Sequence, residues 1–363
     1  MNDRYHKRWL SGLLAVALIT SLTLMLGCAA LLEDPEADEP IIFADRQWES
    51  VWIATEIAQF IIEEGYDHPT ETETVSTDAF QVGMQHGDIH VELELWRMNL
   101  PEWYEEATSE GYLIDVGSIY ETSRQAWYVP RYVIEGDEER GIEPIAADLE
   151  TVWDMKDYYE AFEDPDDPGR GRFINGISGW VVTEINEVKM QVYGLDEYYN
   201  TVEPGSSGAL DAAIAGAIEA GDPIFFYYWE PTWLPGMYDV VVLEEPEYDP
   251  EVEEQLERAA AGEIPVEDVD EACGFIELDI RKGVHKSVKE RAPEIFEFLE
   301  NMFIGTDPIN QTMAYKMDAD ASPQEAAFWY FENFEDDWRE WLPDDVAQRV
   351  TDALIENGVD LSG

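Results

Sequence analysis

The order of apolar and polar positions divides the chain into short alternating elements. Residues 41–44 are a brief apolar run, read as a strand. Residues 48–64 are rich in apolar side chains and stop at Gly65, the pattern of a helix closed by glycine. Residues 73–76 predict a second strand, and 78–85 a short helix ending at His86-Gly87. From 89 to 95, Ile, Val, Leu and Leu alternate with His, Glu and Glu, the two-residue period of a strand. This strand–helix–strand–helix–strand run predicts an α/β lobe with a largely parallel sheet.

The middle of the chain repeats the alternation. Residues 126–134 read as extended, 148–162 as a helix and 164–169 as a loop. Helices are predicted over 181–193 and 208–220, and strands over 223–229, 238–243 and 275–280. Three more helices follow, at 293–302, 323–332 and 344–356. Residues 244–271 hold 13 acids, one Arg and three prolines, and read as an elaborated acidic surface loop. The simplest architecture is two α/β lobes. Residues 41–125 plus 272–363 make lobe I, and 126–250 make lobe II. The hinges fall near Ser123–Arg131 and Glu244–Phe275. A cleft between such lobes is a common ligand site, and hinge closure around the ligand is a known mode.

The first residues follow another pattern. Arg4, Lys7 and Arg8 precede an uncharged, largely apolar stretch over 9–32. Residues 1–27 read as a secretory signal peptide. Met25-Leu26-Gly27-Cys28 resembles a lipoprotein cleavage box, which makes Cys28 the expected lipidation site. The alternative is an uncleaved membrane anchor. Both place the remainder outside the cytoplasm, and the first tethers it to the membrane by lipid. Residues 28–40 then form an acidic tether.

Composition changes the picture in two ways. The chain has 363 residues, with 81 Asp plus Glu against 21 Lys plus Arg, a formal charge of −60. Loss of residues 1–27 takes this to −62. Duplex nucleic acid is excluded as a partner, because phosphate affinity needs Lys and Arg. At molar salt the Debye length is about 3 Å, so the self-repulsion is screened. Such a surface is the one expected of a halophilic protein, with an acidic partner-binding surface as the alternative. Second, 13 Trp, 18 Tyr and 14 Phe exclude a disordered acidic chain. Cys28 and Cys273 are the only cysteines, which excludes a disulfide scaffold, and Cys273 is expected as a small buried residue.

Catalytic chemistry is not visible. The five His lack partners at zinc spacing, and there is no nucleophile elbow or phosphate loop. No metal or cofactor is expected. Gly205-Ser206-Ser207-Gly208 reads as an anion-binding helix start or as an ordinary cap with a flexible lead-in. The informative residues are aromatic. Trp96 ends the strand 89–95, Trp180 follows Gly176-Ile177-Ser178-Gly179 and opens a helix, and Trp229 ends the strand 223–228. In open α/β sheets, ligands bind beyond the carboxyl ends of strands.

In order along the chain stand Ile42-Phe43-Ala44 through Trp48-Glu49-Ser50, Glu63-Glu64-Gly65-Tyr66, and Gly87-Asp88-Ile89-His90-Val91-Glu92 leading to Trp96. Then come Tyr128-Val129-Pro130-Arg131-Tyr132-Val133, Gly179-Trp180, Pro204-Gly205-Ser206 and Phe226-Tyr227-Tyr228-Trp229-Glu230-Pro231-Thr232-Trp233. With these blocks the chain resembles the substrate-binding proteins of glycine betaine/proline-betaine ABC transporters. The resemblance implies a two-lobed, type II periplasmic-binding-protein-like α/β fold with a ligand cleft between the lobes. It implies a non-enzymatic receptor for osmoprotection, which delivers a quaternary-ammonium osmolyte to a membrane permease. It places the ligand's ammonium group among Trp96, Trp180 and Trp229, with Trp48 a fourth candidate, and its carboxylate at the backbone N–H groups of Val181 and Val182. Arg170 and Arg172 lie near that segment as carboxylate partners or as surface ion pairs. The chain departs from the family where Arg97-Met98-Asn99 follows Trp96 in place of a Pro-containing turn.

Two other ligands or activities compete. Choline is a cation that the acidic field would concentrate. A secreted glycoside hydrolase would also combine many Trp with a carboxylate pair; such a pair should face the Trp cluster across about 5–9.5 Å.

Overall fold

The computed structural model describes residues 39–361, without the side chain of Pro235. The expected leader, Cys28 and nearly all of the tether lie outside the described residues. Among those described, no helix is long and apolar enough to cross a membrane.

The elements run β1 (Ile41–Asp45), α1 (Glu49–Phe60), β2 (Thr70–Thr74), α2 (Thr77–His86), β3 (Val91–Leu95), α3 (Pro101–Glu110), β4 (Leu113–Tyr120) and β5 (Arg124–Pro130). They continue with β6 (Gly171–Ile174), α4 (Val181–Val192), β7 (Tyr199–Val202), α5 (Ser207–Ala220), β8 (Phe225–Glu230), β9 (Val240–Val242), α6 (Pro250–Ala260) and β10 (Ile280–His285). The larger helices that follow are α7 (Pro293–Asn301), α8 (Thr306–Ala319), α9 (Pro323–Asn333) and α10 (Asp344–Glu356). Local chemistry explains several boundaries. Ser76 caps α2 by accepting from the Ala79 N–H, and Gly87 ends it at φ +79°. Ser206 caps α5 in the same way, so the Gly205–Gly208 segment is an ordinary helix start.

The strands form two five-stranded sheets, ordered β2-β1-β3-β10-β4 and β7-β6-β8-β5-β9. These are the sheets of a two-lobed α/β fold. The first sheet is mixed: β1 is parallel to β2 and β3, whereas β10 is antiparallel to both β3 and β4. The chain leaves this sheet after β4, builds the second, and returns as β10 into the middle of the first. Helix α1 lies against α9, with Phe60 packed on Phe328 and Phe331 at 5.4 Å. In the second lobe, buried Trp127 meets Phe173 at 4.9 Å and Phe225 at 5.6 Å.

Four expectations need correction. The segment 244–271, expected as a surface loop, carries α6, whose Glu253, Leu256 and Ala259 are buried. Asp249 caps this helix by accepting from the Glu251 and Val252 N–H groups, and Pro250 opens it. Its apolar positions fall three and four apart and give it a face to bury, which the density of acids conceals. The region 148–162 breaks into three short helical turns instead of one helix. The strand expected at 275–280 begins where that window ends, at Ile280. The sheet expected to be largely parallel is mixed, because a strand from late in the chain enters it.

Candidate ligand site

Trp48 is the N-cap of α1, Trp96 follows β3, Trp180 is the N-cap of α4, and Trp229 is the penultimate residue of β8. Two come from each lobe. Trp48 meets Trp96 edge-on at 6.4 Å and Trp180 at 5.7 Å, and Trp180 meets Trp229 at 5.1 Å and 89°. Together with Val181 and Val182 they line one cavity. The structure thus brings together all six residues singled out for the ligand. Each indole is at most 9 % exposed, because the lobes meet over the cavity.

Trp180 is held by its own loop and by the facing lobe. Gly179 has φ +94°, and a Cβ there would stand 3.3 Å from the Ser76 Cβ. At Gly176 a Cβ would sit 2.6 Å from the Thr183 hydroxyl. Below the loop, Asn175 donates to the Thr183 carbonyl and accepts from Asn186, which in turn accepts the Trp127 indole N–H at 2.7 Å. This buried amide chain fixes the start of α4 on the second sheet.

Several lining residues were not legible in the sequence: Arg46, Thr77, Glu94, Asn99, Gln125 and Tyr227. Glu94 accepts the Trp48 indole N–H at 2.6 Å and the Tyr120 hydroxyl at 2.9 Å. Glu92 accepts from Arg46 at 3.1 Å and from the Glu94 backbone N–H. Burial pushes both carboxyls up to about 7. Read as alternating in-and-out positions, these glutamates belong on a solvated face. In fact every residue of β3 is buried, since the strand is central and its sheet is covered on both faces. Across the cleft, Asn99 and Gln125 exchange two amide hydrogen bonds, of 3.1 and 2.8 Å, and Tyr227 donates to Gln125 at 2.8 Å.

Arg170 and Arg172 are elsewhere. Arg170 binds Asn200 and the carbonyls of Asp196, Glu197 and Tyr199, and Arg172 pairs with Asp164 and Asp166. Neither lines the cavity. Glu94 is the one carboxylate among its lining residues, so the glycosidase pair is not found there and that reading has no support. No group of three or more His, Cys, Asp or Glu among the described residues is placed to hold a metal.

The arrangement suits a compact ligand with a methylated ammonium group. Such a group donates no hydrogen bonds and is held by aromatic faces. The start of α4 supplies N–H groups without partners inside the helix, and the helix dipole favours an anion there.

The fold has close counterparts. A glycine betaine, L-proline ABC transporter binding protein from Borrelia burgdorferi superposes with a TM-score of 0.65 at 18% identity, over 86% of this chain and 100% of that one. Lactococcal OpuAC, in a closed-liganded conformation complexed with glycine betaine, gives 0.61 at 18% identity, over 84% and 100%. An ABC-transporter choline binding protein in complex with choline gives 0.64 at 17% identity, over 88% and 100%. Residues 39–333 match the family described as the substrate binding domain of the ABC-type glycine betaine transport system. The chain belongs to this family of solute-binding proteins, whose members hand small molecules to ABC permeases.

Proposed function

We propose that this protein captures glycine betaine, or a close quaternary-ammonium analogue, between its lobes and delivers it to the permease of an ABC importer. The observation that carries the reading is the two-lobed cavity walled by Trp48, Trp96, Trp180 and Trp229, with the N-terminus of α4 opening onto it. Each aromatic face contributes about 1–2 kcal/mol to a desolvated ammonium group. Three or four such faces and a bound carboxylate support a micromolar complex, about −8 kcal/mol. The basic and apolar N-terminus with Cys28 supports an extracytoplasmic lipoprotein, and the charge of −60 supports work in brine. Titration with glycine betaine in molar salt, read by calorimetry or Trp fluorescence, tests the function. Saturable binding is expected; folded protein that gives no signal at millimolar ligand refutes it.

Choline is the second reading. Buried Glu94 on the cavity wall favours it, because a carboxylate attracts the cation and repels the carboxylate that a betaine also carries.

A further inference from the structure

Two side chains of opposite charge flank Trp48 on the cavity wall. Glu94 stands behind it, joined to its indole N–H. Arg46, 7 % exposed, has its guanidinium 5.7 Å from the Trp48 ring and 4.9 Å from the Phe80 ring. Arg46 and Glu94 are the charged side chains on the cavity wall. Glu92, which pairs with Arg46 from behind, is not part of that wall.

The hydrogen bonds of Arg46 are incomplete. One terminal nitrogen donates to Glu92 at 3.1 Å and the other to the Thr77 hydroxyl at 2.8 Å. Its buried Nε–H has no partner among the described residues. Such a group costs stability until an acceptor reaches it. The Thr77 hydroxyl also accepts from the Val181 N–H at 3.3 Å. With both acceptor sites taken, its own proton is left to donate. Arg46, Thr77 and the first turn of α4 therefore form one connected set of donors on the same cavity.

We propose that Arg46 is the specificity-determining residue of this pocket, holding the carboxylate of a zwitterionic ligand and so selecting a betaine over the plain cation choline. This rests on the reading of the pocket as a quaternary-ammonium site. A ligand carrying both charges offers a partner to each of the two side chains. Choline offers one to Glu94 alone and leaves the Arg46 Nε–H without an acceptor. The α4 N-terminus adds attraction for the same carboxylate.

The test is calorimetric titration of wild type, Arg46→Gln and the double variant Arg46→Gln/Glu92→Gln with glycine betaine and with choline. The double variant removes both members of the buried pair and avoids stranding Glu92. Wild type should prefer glycine betaine by at least tenfold. The variants should lose more than tenfold in glycine betaine affinity and less than threefold in choline affinity. Parallel loss of both ligands, or no loss of either, overturns the assignment to Arg46. If neither variant folds, the wild-type preference decides alone, and equal affinities overturn the proposal. A wild-type protein that binds neither ligand refutes the underlying pocket reading instead.

Discussion

Trp180 donates its indole N–H to the backbone carbonyl of Arg46 at 2.9 Å, across 134 residues of sequence and from one lobe to the other. One side chain therefore serves as a cavity wall and as a clasp between lobes. Thr77 adds a second clasp, donating its backbone N–H to the Gly179 carbonyl at 3.0 Å.

Separate changes at Trp180 distinguish the two roles. Trp180→Phe keeps an aromatic face and loses the clasp, and should weaken glycine betaine by about 1 kcal/mol, the net worth of one hydrogen bond. Trp180→Ala loses both and should cost more than tenfold in affinity. Calorimetry in molar salt measures each. Wild-type affinity in Trp180→Ala would remove the residue from the site.

Binding should depend on pH through Glu94. Its carboxyl is pushed up to about 7 by burial, opposed by hydrogen bonds from Ser50, Trp48 and Tyr120. The other titratable groups beside it are Glu92, also pushed up to about 7, and Tyr120, held well above its ordinary value and therefore neutral. An ammonium ligand favours the ionised carboxylate, so affinity should rise from pH 5.5 to pH 8 by up to about tenfold. Titrations across that range test it in wild type and Glu94→Gln. A flat wild-type profile refutes the link, and a slope surviving in the variant assigns it to Glu92.

Helix α4 makes a buried ion pair with the segment that leads into α6. Lys189 of α4 lies 2.5 Å from the Glu245 carboxylate, both sequestered, with its ammonium 3.9 Å from the Phe275 ring. Lys189→Ala strands Glu245 and should cost about 3–5 kcal/mol of stability. Lys189→Met/Glu245→Gln removes both charges and should recover much of the loss. Urea unfolding in molar salt compares them; a single variant as stable as wild type would show the pair to be inert.

Acidic residues also face each other over the cleft mouth. Glu257 of α6 and Glu102 of α3 line the same wide groove beside the Trp cavity. The Glu257 carboxyl is pushed up to about 8, first by burial and then by Glu253, Glu102 and Glu254. Between its ordinary 4.5 and 8, the folded protein holds a proton that the unfolded chain has released. Stability from this group therefore falls as pH rises through that window. Glu257→Gln should raise the Tm at pH 8 in low salt, with a smaller gain at pH 5 and in molar salt. Thermal scans at the four conditions check it, and a uniform gain would discount the charge effect.

Local signals in the chain were sufficient for the helix stop at Gly87, the aromatic strand before Trp229 and the start of α4 after Gly179. Each depends on neighbours within a few residues: a cap, a left-handed glycine, an apolar period. The same local patterns marked Trp48, Trp96, Trp180 and Trp229 as lying at element ends. The burial of Glu92 and Glu94 was decided by the tertiary structure, because β3 alternates like a half-exposed strand and is covered on both faces only after β10 returns beside it. The place of Arg46 was decided there too. Its guanidinium donates to Glu92 and Thr77 of its own lobe, 46 and 31 residues away, and its carbonyl accepts the Trp180 indole N–H from the other lobe. Residue type and spacing report what a segment can form by itself. Which charge ends up beside which ring is set by long-range packing, where burial gives a carboxylate and a guanidinium an influence they lack in water.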